Sequence, residues 1–94
     1  MNEDVLKIIK HYGVNAQQRK LAEEVFELQE AITQYEEPRV YRDTNQIAEE
    51  LSDVMVMLKQ FRVYYNISDK TINTIMRKKI QRQLERIKKE VEHE

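Results

Sequence analysis

Apolar residues recur along this chain every three to four positions, in four separate runs. Val5, Ile8, Ile9 and Tyr12 predict helix 1 over about Glu3 to Tyr12, ended by Gly13. Asn15 is placed to cap helix 2, with Gln18 three residues on as its capping-box partner. Leu21, Val25, Leu28, Ile32 and Tyr35 form the stripe of helix 2, and Pro38 stops it. Asp43 or Thr44 caps helix 3, where Gln46 suits the box. Ile47, Leu51, Val54, Leu58 and Phe61 form its stripe, which runs out near Asn66. Ser68 caps helix 4, where Ile72, Met76, Ile80, Ile87 and Val91 share a face. The one real loop is "EEPRVYRD", residues 36–43.

One glycine and one proline leave little material for hairpins or a Gly-rich phosphate loop. The expectation is an all-α fold: a single four-helix, bundle-like domain over residues 1–94. Its central helices 2 and 3 are antiparallel because a short loop joins them. A chain this short buries a modest core and often needs a partner to complete it.

Charged residues make up 35% of the chain, and the net charge of −1 hides two uneven halves. Residues 23 to 53 lean acidic, and Lys and Arg dominate from Lys70 onward. A near-neutral total gives little support for nucleic-acid binding. The basic helix 4 also has no interleaved aromatics. The chain has no cysteine, which excludes disulfides and thiolate metal sites and favours an intracellular, cytoplasmic home. No apolar run approaches the roughly eighteen residues of a membrane span, and the N-terminus has no signal-peptide pattern.

The acids fall where a helix meets its own core. Glu24 lies about 60° from the centre of the helix 2 stripe and Glu27 about 60° further round. Ala31, one turn on, keeps that flank open. Glu50 and Asp53 hold the same relation on helix 3. In an antiparallel pair, Glu27 and Glu50 lie at depths of roughly 13 and 9 Å from the connecting loop. Four carboxylates then crowd one small volume and repel. The repulsion is roughly 1 kcal/mol per pair at about 4 Å in water, and more when partly buried. Protonation or a cation relieves it, and oxygen ligands without His or Cys favour Mg²⁺, with Mn²⁺ as a possible substitute. One such pair alone is usually a solvated face; two facing pairs raise a metal site to even standing with it.

Lys79, Arg82 and Arg86 lie within about 60° of one another on one shoulder of helix 4. Lys as a point charge and Arg as a forked donor suit phosphate oxygens. The competing reading is a solvated face held by pairs such as Glu85 with Lys89.

"EEVFE", followed after 22 residues by "ELSD", resembles the E-E-x-x-E … E-x-x-D signature of the MazG-like all-α nucleoside triphosphate pyrophosphatases. The upstream "QQRKLAEE" is similar to the lead-in of many small members, and the likeness runs from about Gln17 to Arg86. The resemblance implies metal ligands at Glu24, Glu27, Glu50 and Asp53, and Glu23 matches the first acid of the motif. Helix 4 of the family often reads K-x-x-K-N-x-x-R. Here Lys79 and Arg86 hold the outer positions, Arg82 replaces the inner Lys and Gln83 replaces the Asn. The implied activity is Mg²⁺-dependent hydrolysis of a nucleoside triphosphate, often a dNTP, to the monophosphate and pyrophosphate. A carboxylate, Glu27 or Glu23, takes a proton from water, and Lys79, Arg82 and Arg86 neutralise the leaving pyrophosphate.

Around that site, His11, Tyr12 and Gln17 stand near the pocket mouth, and Gln17 is a candidate substrate contact. His11 near a helix end reads first as a cap, Tyr12 as core, and Met55 and Met57 as core or interface. A homodimer or homotetramer is expected, with helix 1, Phe26 and Val63 as contacts. The rival readings are a non-enzymatic helical dimerisation adaptor and a nucleotide binder without hydrolysis.

Overall fold

The computed structural model describes residues 1–38 and 43–93. Four helices account for nearly all of them: α1 (Asn2–Tyr12), α2 (Val14–Glu36), α3 (Asn45–Tyr64) and α4 (Asp69–Glu92). The all-α class is as expected, with no strand among the described residues. Part of the expected loop, residues 39–42, lies outside them.

Gly13 alone joins α1 to α2. Its φ of 91° turns the chain in one residue, which an L side chain rarely permits. Its N–H closes α1 on Ile9 O at 2.8 Å, and its carbonyl opens α2 by accepting from Gln17 N at 3.1 Å. Asn15 is therefore not the cap of α2. It sits inside the first turn, because the tight corner lets the helix begin at Val14. On α3, Asp43 Oδ1 accepts from Asn45 N at 2.9 Å. The Gln46 side chain donates to Glu50 Oε1 at 2.9 Å instead of completing a capping box. Ser68 caps α4 as expected, its hydroxyl accepting from Thr71 N at 3.1 Å.

The α2–α3 pair is antiparallel, and its register can be read from two contacts. Gln17 meets Gln60, and Glu27 meets Glu50. Steps of seven and three residues along α2, Gln17 to Glu24 to Glu27, are matched by equal steps back along α3, Gln60 to Asp53 to Glu50. The inner lines are Gln17, Leu21, Glu24, Leu28, Ala31 and Tyr35 on α2, and Ile47, Glu50, Val54, Met57 and Phe61 on α3, all buried or half-buried. Their alternating steps of three and four are coiled-coil spacing. This differs from the expected stripes by a rotation of both helices toward their acids. Ala31 is small enough to let α3 close on that side. Val25, Ile32, Leu51 and Leu58 are left 43–52% exposed.

α1 packs mainly on α3 and also touches α2. Val5 is buried and Ile9 fully so, and an isoleucine removed from water contributes about 1.5–3 kcal/mol. One face of α1 is thus used inside the chain, while Ile8 and Tyr12 stay exposed; Val63 is half-buried and Phe26 exposed. Tyr12 is not a core residue. At the corner it is 64% exposed, with its ring edge-on to His11 at 4.8 Å.

α4 runs along none of the other three helices. Arg62, near the end of α3, fixes where it starts. Its guanidinium pairs with Asp69 at 3.1 Å, donates to Ile67 O at 2.8 Å and donates to Asn2 Oδ1 at 3.2 Å. Asn66 takes the left-handed conformation (φ 55°) in the turn between the two helices.

Candidate metal centre

The inward rotation of α2 and α3 carries Glu24 and Glu50 into the contact between them. Glu24 is buried at 6% exposure. One ligand oxygen each from Glu24, Glu27 and Glu50 lies within 4.8 Å of the others. Lys20 Nζ pairs with Glu24 Oε1 at 3.1 Å, and Gln46 holds Glu50 Oε1. Glu24 Oε2 and Glu50 Oε2 are buried with no hydrogen-bond partner among the described residues. A buried carboxylate oxygen without a donor is costly. Two of them in one cluster of hard oxygens fit a hard divalent cation.

The electrostatics of the cluster agree. The negative charge of Glu24 pushes the Glu27 carboxyl above its ordinary pKa, aided by partial desolvation and by Glu50. Lys20 is held above its usual value, first by its hydrogen bond to Glu24 and then by the charges of Glu24 and Glu23.

The other expected site residues lie around this centre or away from it. Asp53 shares the level of Glu24, but its carboxylate is exposed and outside the three-residue cluster. It lies further round α3 than Glu50, toward solvent. Glu23 is on the outer edge, 3.7 Å from Lys20. Gln17 is buried, and its side-chain amide donates to Gln60 Oε1 at 2.8 Å, so this donor is engaged within the core. Gln17 also lines a cleft of about 490 Å³ with Tyr12, Arg19, Lys20, Glu23 and Met57; its Lys20 is the ion-pair partner of Glu24. Lys79, Arg82 and Arg86 are exposed on α4 and are not brought to the carboxylates, because α4 does not pack on α2.

Two polar residues of this region were not singled out by their sequence. Gln60 is 2% exposed and sets the register that brings the acids together. Its signal was its place one turn beyond Met57 and opposite the start of helix 2. Arg19, beside Lys20 at the cleft, carried no distinguishing pattern.

An antiparallel helix pair with a carboxylate cluster between its helices and a cleft alongside defines an all-α acidic-site domain. Residues 13–87 match the MazG nucleotide pyrophosphohydrolase domain, and the chain belongs to that family. The family carries a pyrophosphohydrolase-type activity on nucleotides and depends on a divalent metal. No curated protein and no solved structure matches the chain. Among the described residues, no helix is long and apolar enough to cross a membrane.

Proposed function

We propose that this protein hydrolyses a nucleoside triphosphate, with a dNTP as the expected substrate, at the α-phosphorus to give the monophosphate and pyrophosphate. The observation that carries the reading is the convergence of Glu24, Glu27 and Glu50 with two buried, unpartnered oxygens, in a chain of this family. Glu24 and Glu50 would hold a Mg²⁺ ion, for which Mn²⁺ can substitute. Glu27 would be a third ligand, and Asp53 would be the fourth once its side chain turns inward from the level it shares with Glu24. The ion supplies charge neutralisation on phosphate and a more acidic water.

The chain's own groups do the rest. Glu27, whose proton affinity is raised by its neighbours, accepts the proton of the attacking water, with Glu23 as the alternative base. Lys20 orients Glu24 and balances its charge. The cleft beside Tyr12, Arg19 and Met57 is the proposed seat of the nucleoside. Lys79, Arg82 and Arg86 remain proposed phosphate contacts; within one chain, Arg19 and Lys20 are nearer. Gln17 is proposed to act by positioning, through Gln60. The protein is proposed to work as a cytoplasmic homodimer or homotetramer.

The test is product identification from a panel of NTPs and dNTPs, with and without Mg²⁺. Pyrophosphate plus monophosphate, formed only with the cation, is expected. Release of orthophosphate, or no turnover with any nucleotide, would overturn the proposal.

A further inference from the structure

Three side chains at the α2–α3 contact form a relay of hydrogen bonds that ends at the cleft. Gln60 donates its amide nitrogen to Met57 Sδ at 3.7 Å, and its Oε1 accepts from Gln17 Nε2 at 2.8 Å. A thioether sulfur is a weak acceptor with no hydrogen to give. It therefore favours the end of the Gln60 amide that carries hydrogens. That leaves Gln60 Oε1 toward Gln17, where it takes the Gln17 nitrogen. The direction of both amides is thus set at Met57.

Gln17 Oε1 makes no hydrogen bond with any described residue. The fully buried side-chain oxygens without a partner, among the described residues, are those of Glu24 and Glu50. Gln17 Oε1 therefore keeps an opening. Gln17 lines the cleft, whereas Gln60, at 2% exposure, lies behind it. The amide nitrogen is drawn inward, and the oxygen is left at the cleft wall. A nearly dry acceptor without a partner favours a ligand that donates to it.

The surroundings suit a flat, polar heterocycle. Tyr12 stands at the cleft largely exposed and offers an aromatic face for stacking. Met57 supplies a polarisable wall, and Ala16 takes up little of the space. Gln17 precedes Glu24 by two turns of α2, about 10 Å at 1.5 Å per residue. A nucleotide with its phosphates at the carboxylates and its base at Gln17 bridges that distance with its sugar. What separates the bases is the group they turn to an acceptor. Cytosine and adenine carry an exocyclic amine that donates to it. Uracil and hypoxanthine carry a carbonyl oxygen in the same place, which the Gln17 oxygen repels.

We infer that Gln17 selects the base in this cleft. Its Oε1 accepts a hydrogen bond from the exocyclic amine of cytosine or adenine, and Met57, through Gln60, keeps that oxygen turned outward. This adds to the positioning role of Gln17 and rests on the nucleotide reading proposed above, but needs no hydrolysis. Arg19 at the same cleft is a donor and would favour the carbonyl-bearing bases instead.

Calorimetric titration with Mg²⁺ and α,β-imido nucleotides, which resist cleavage between those phosphates, tests the inference on binding alone. The dCTP analogue is expected to bind about 10-fold or more tighter than the dUTP analogue, and the dATP analogue likewise against dITP. Equal affinity within each pair overturns the inference, and a preference for the carbonyl-bearing members overturns it in favour of Arg19. If no analogue binds, the nucleotide reading falls and this inference with it. Selective binding with no pyrophosphate released from the natural nucleotides would overturn hydrolysis alone. Gln17→Met keeps the volume, removes the acceptor and is expected to bring each pair within about threefold. Met57→Leu removes the sulfur and frees the two amides to turn over, so the preference is expected to fall several-fold. A merely structural Met57 would weaken both members of a pair alike, and an unchanged ratio would overturn the relay. The wild-type ratios need no variant and decide the inference even where a substitution prevents folding.

Discussion

Gln17 donates its side-chain amide to Gln60 across the α2–α3 contact at 2.8 Å, with both residues buried. Gln60 in turn points its own amide at Met57 Sδ, 3.7 Å away. The same register puts Asp53 at the level of Glu24, counted in residues, and brings Glu27 to Glu50. The polar pair in the core therefore acts on the acidic site through helix register, without touching it.

Removing one member leaves the other unsatisfied. Gln60→Ala is expected to cost about 1–3 kcal/mol in urea unfolding, while Gln17→Leu with Gln60→Leu costs much less. Equal losses for the single and the double variant would show that the amide pair is not coupled.

Glu24→Gln removes a buried charge from the cluster. Wild type is expected to gain about 1.4 kcal/mol from Mg²⁺ at ten times its Kd, a Tm rise of roughly 6–10 °C. The variant should lose that response and at least about 100-fold in turnover while remaining helical. A variant whose Tm still rises with Mg²⁺ would place the cation elsewhere.

In the cation-free protein, Glu27 titrates above its ordinary pKa, chiefly because of Glu24. A carboxyl whose folded pKa is raised contributes stability that is full below the unfolded pKa and is lost as pH rises through the folded one. Tm without divalent ions should therefore fall over that window, from the ordinary Glu range upward, and Glu27→Gln should flatten the fall. Identical Tm–pH curves for the two proteins would remove Glu27 as the cause.

Arg62 is only 13% exposed in its side chain and bridges α1, α3 and α4. Its Asp69 partner is 73% exposed, so the ion pair itself is worth little. The bonds to Ile67 O and Asn2 are worth more. Arg62→Ala is expected to cost about 1–2 kcal/mol and to speed hydrogen exchange at the start of α4. Unchanged exchange there would mean that the turn at Asn66 holds α4 unaided.

Phosphate binding has two candidate sources of positive charge. If α4 supplies it, Lys79→Ala with Arg86→Ala should raise KM by roughly 10-fold or more, as lost charge-assisted bonds do. If KM moves only with Arg19→Ala, the phosphates lie at the cleft beside Tyr12 and the α4 assignment is wrong.

Much of this was legible in the chain. The four helices, the stop before Pro38, the Ser68 cap and the pairing of acids on facing helices follow from periodicity and spacing. Those signals are local, and an α-helix satisfies its backbone within a few residues of itself. The family motif added the expected chemistry at Glu24, Glu27 and Glu50.

The facing of each helix was not legible. Val25 and Leu51 were expected inside, and Glu24 and Glu50 on the shoulder. The packed pair turns the other way, because a stripe wider than one contact can be shared between two partners. Tyr12 was expected inside for the same reason, and the single-residue turn at Gly13 carried it out to the cleft. Sequence determined where the helices are and which acids come in facing pairs. Tertiary structure decided which side of each stripe closes, that α4 stays apart from its own bundle, and which carboxylates meet. Burial is settled by the fit of surfaces far apart in sequence, and no local spacing encodes that fit.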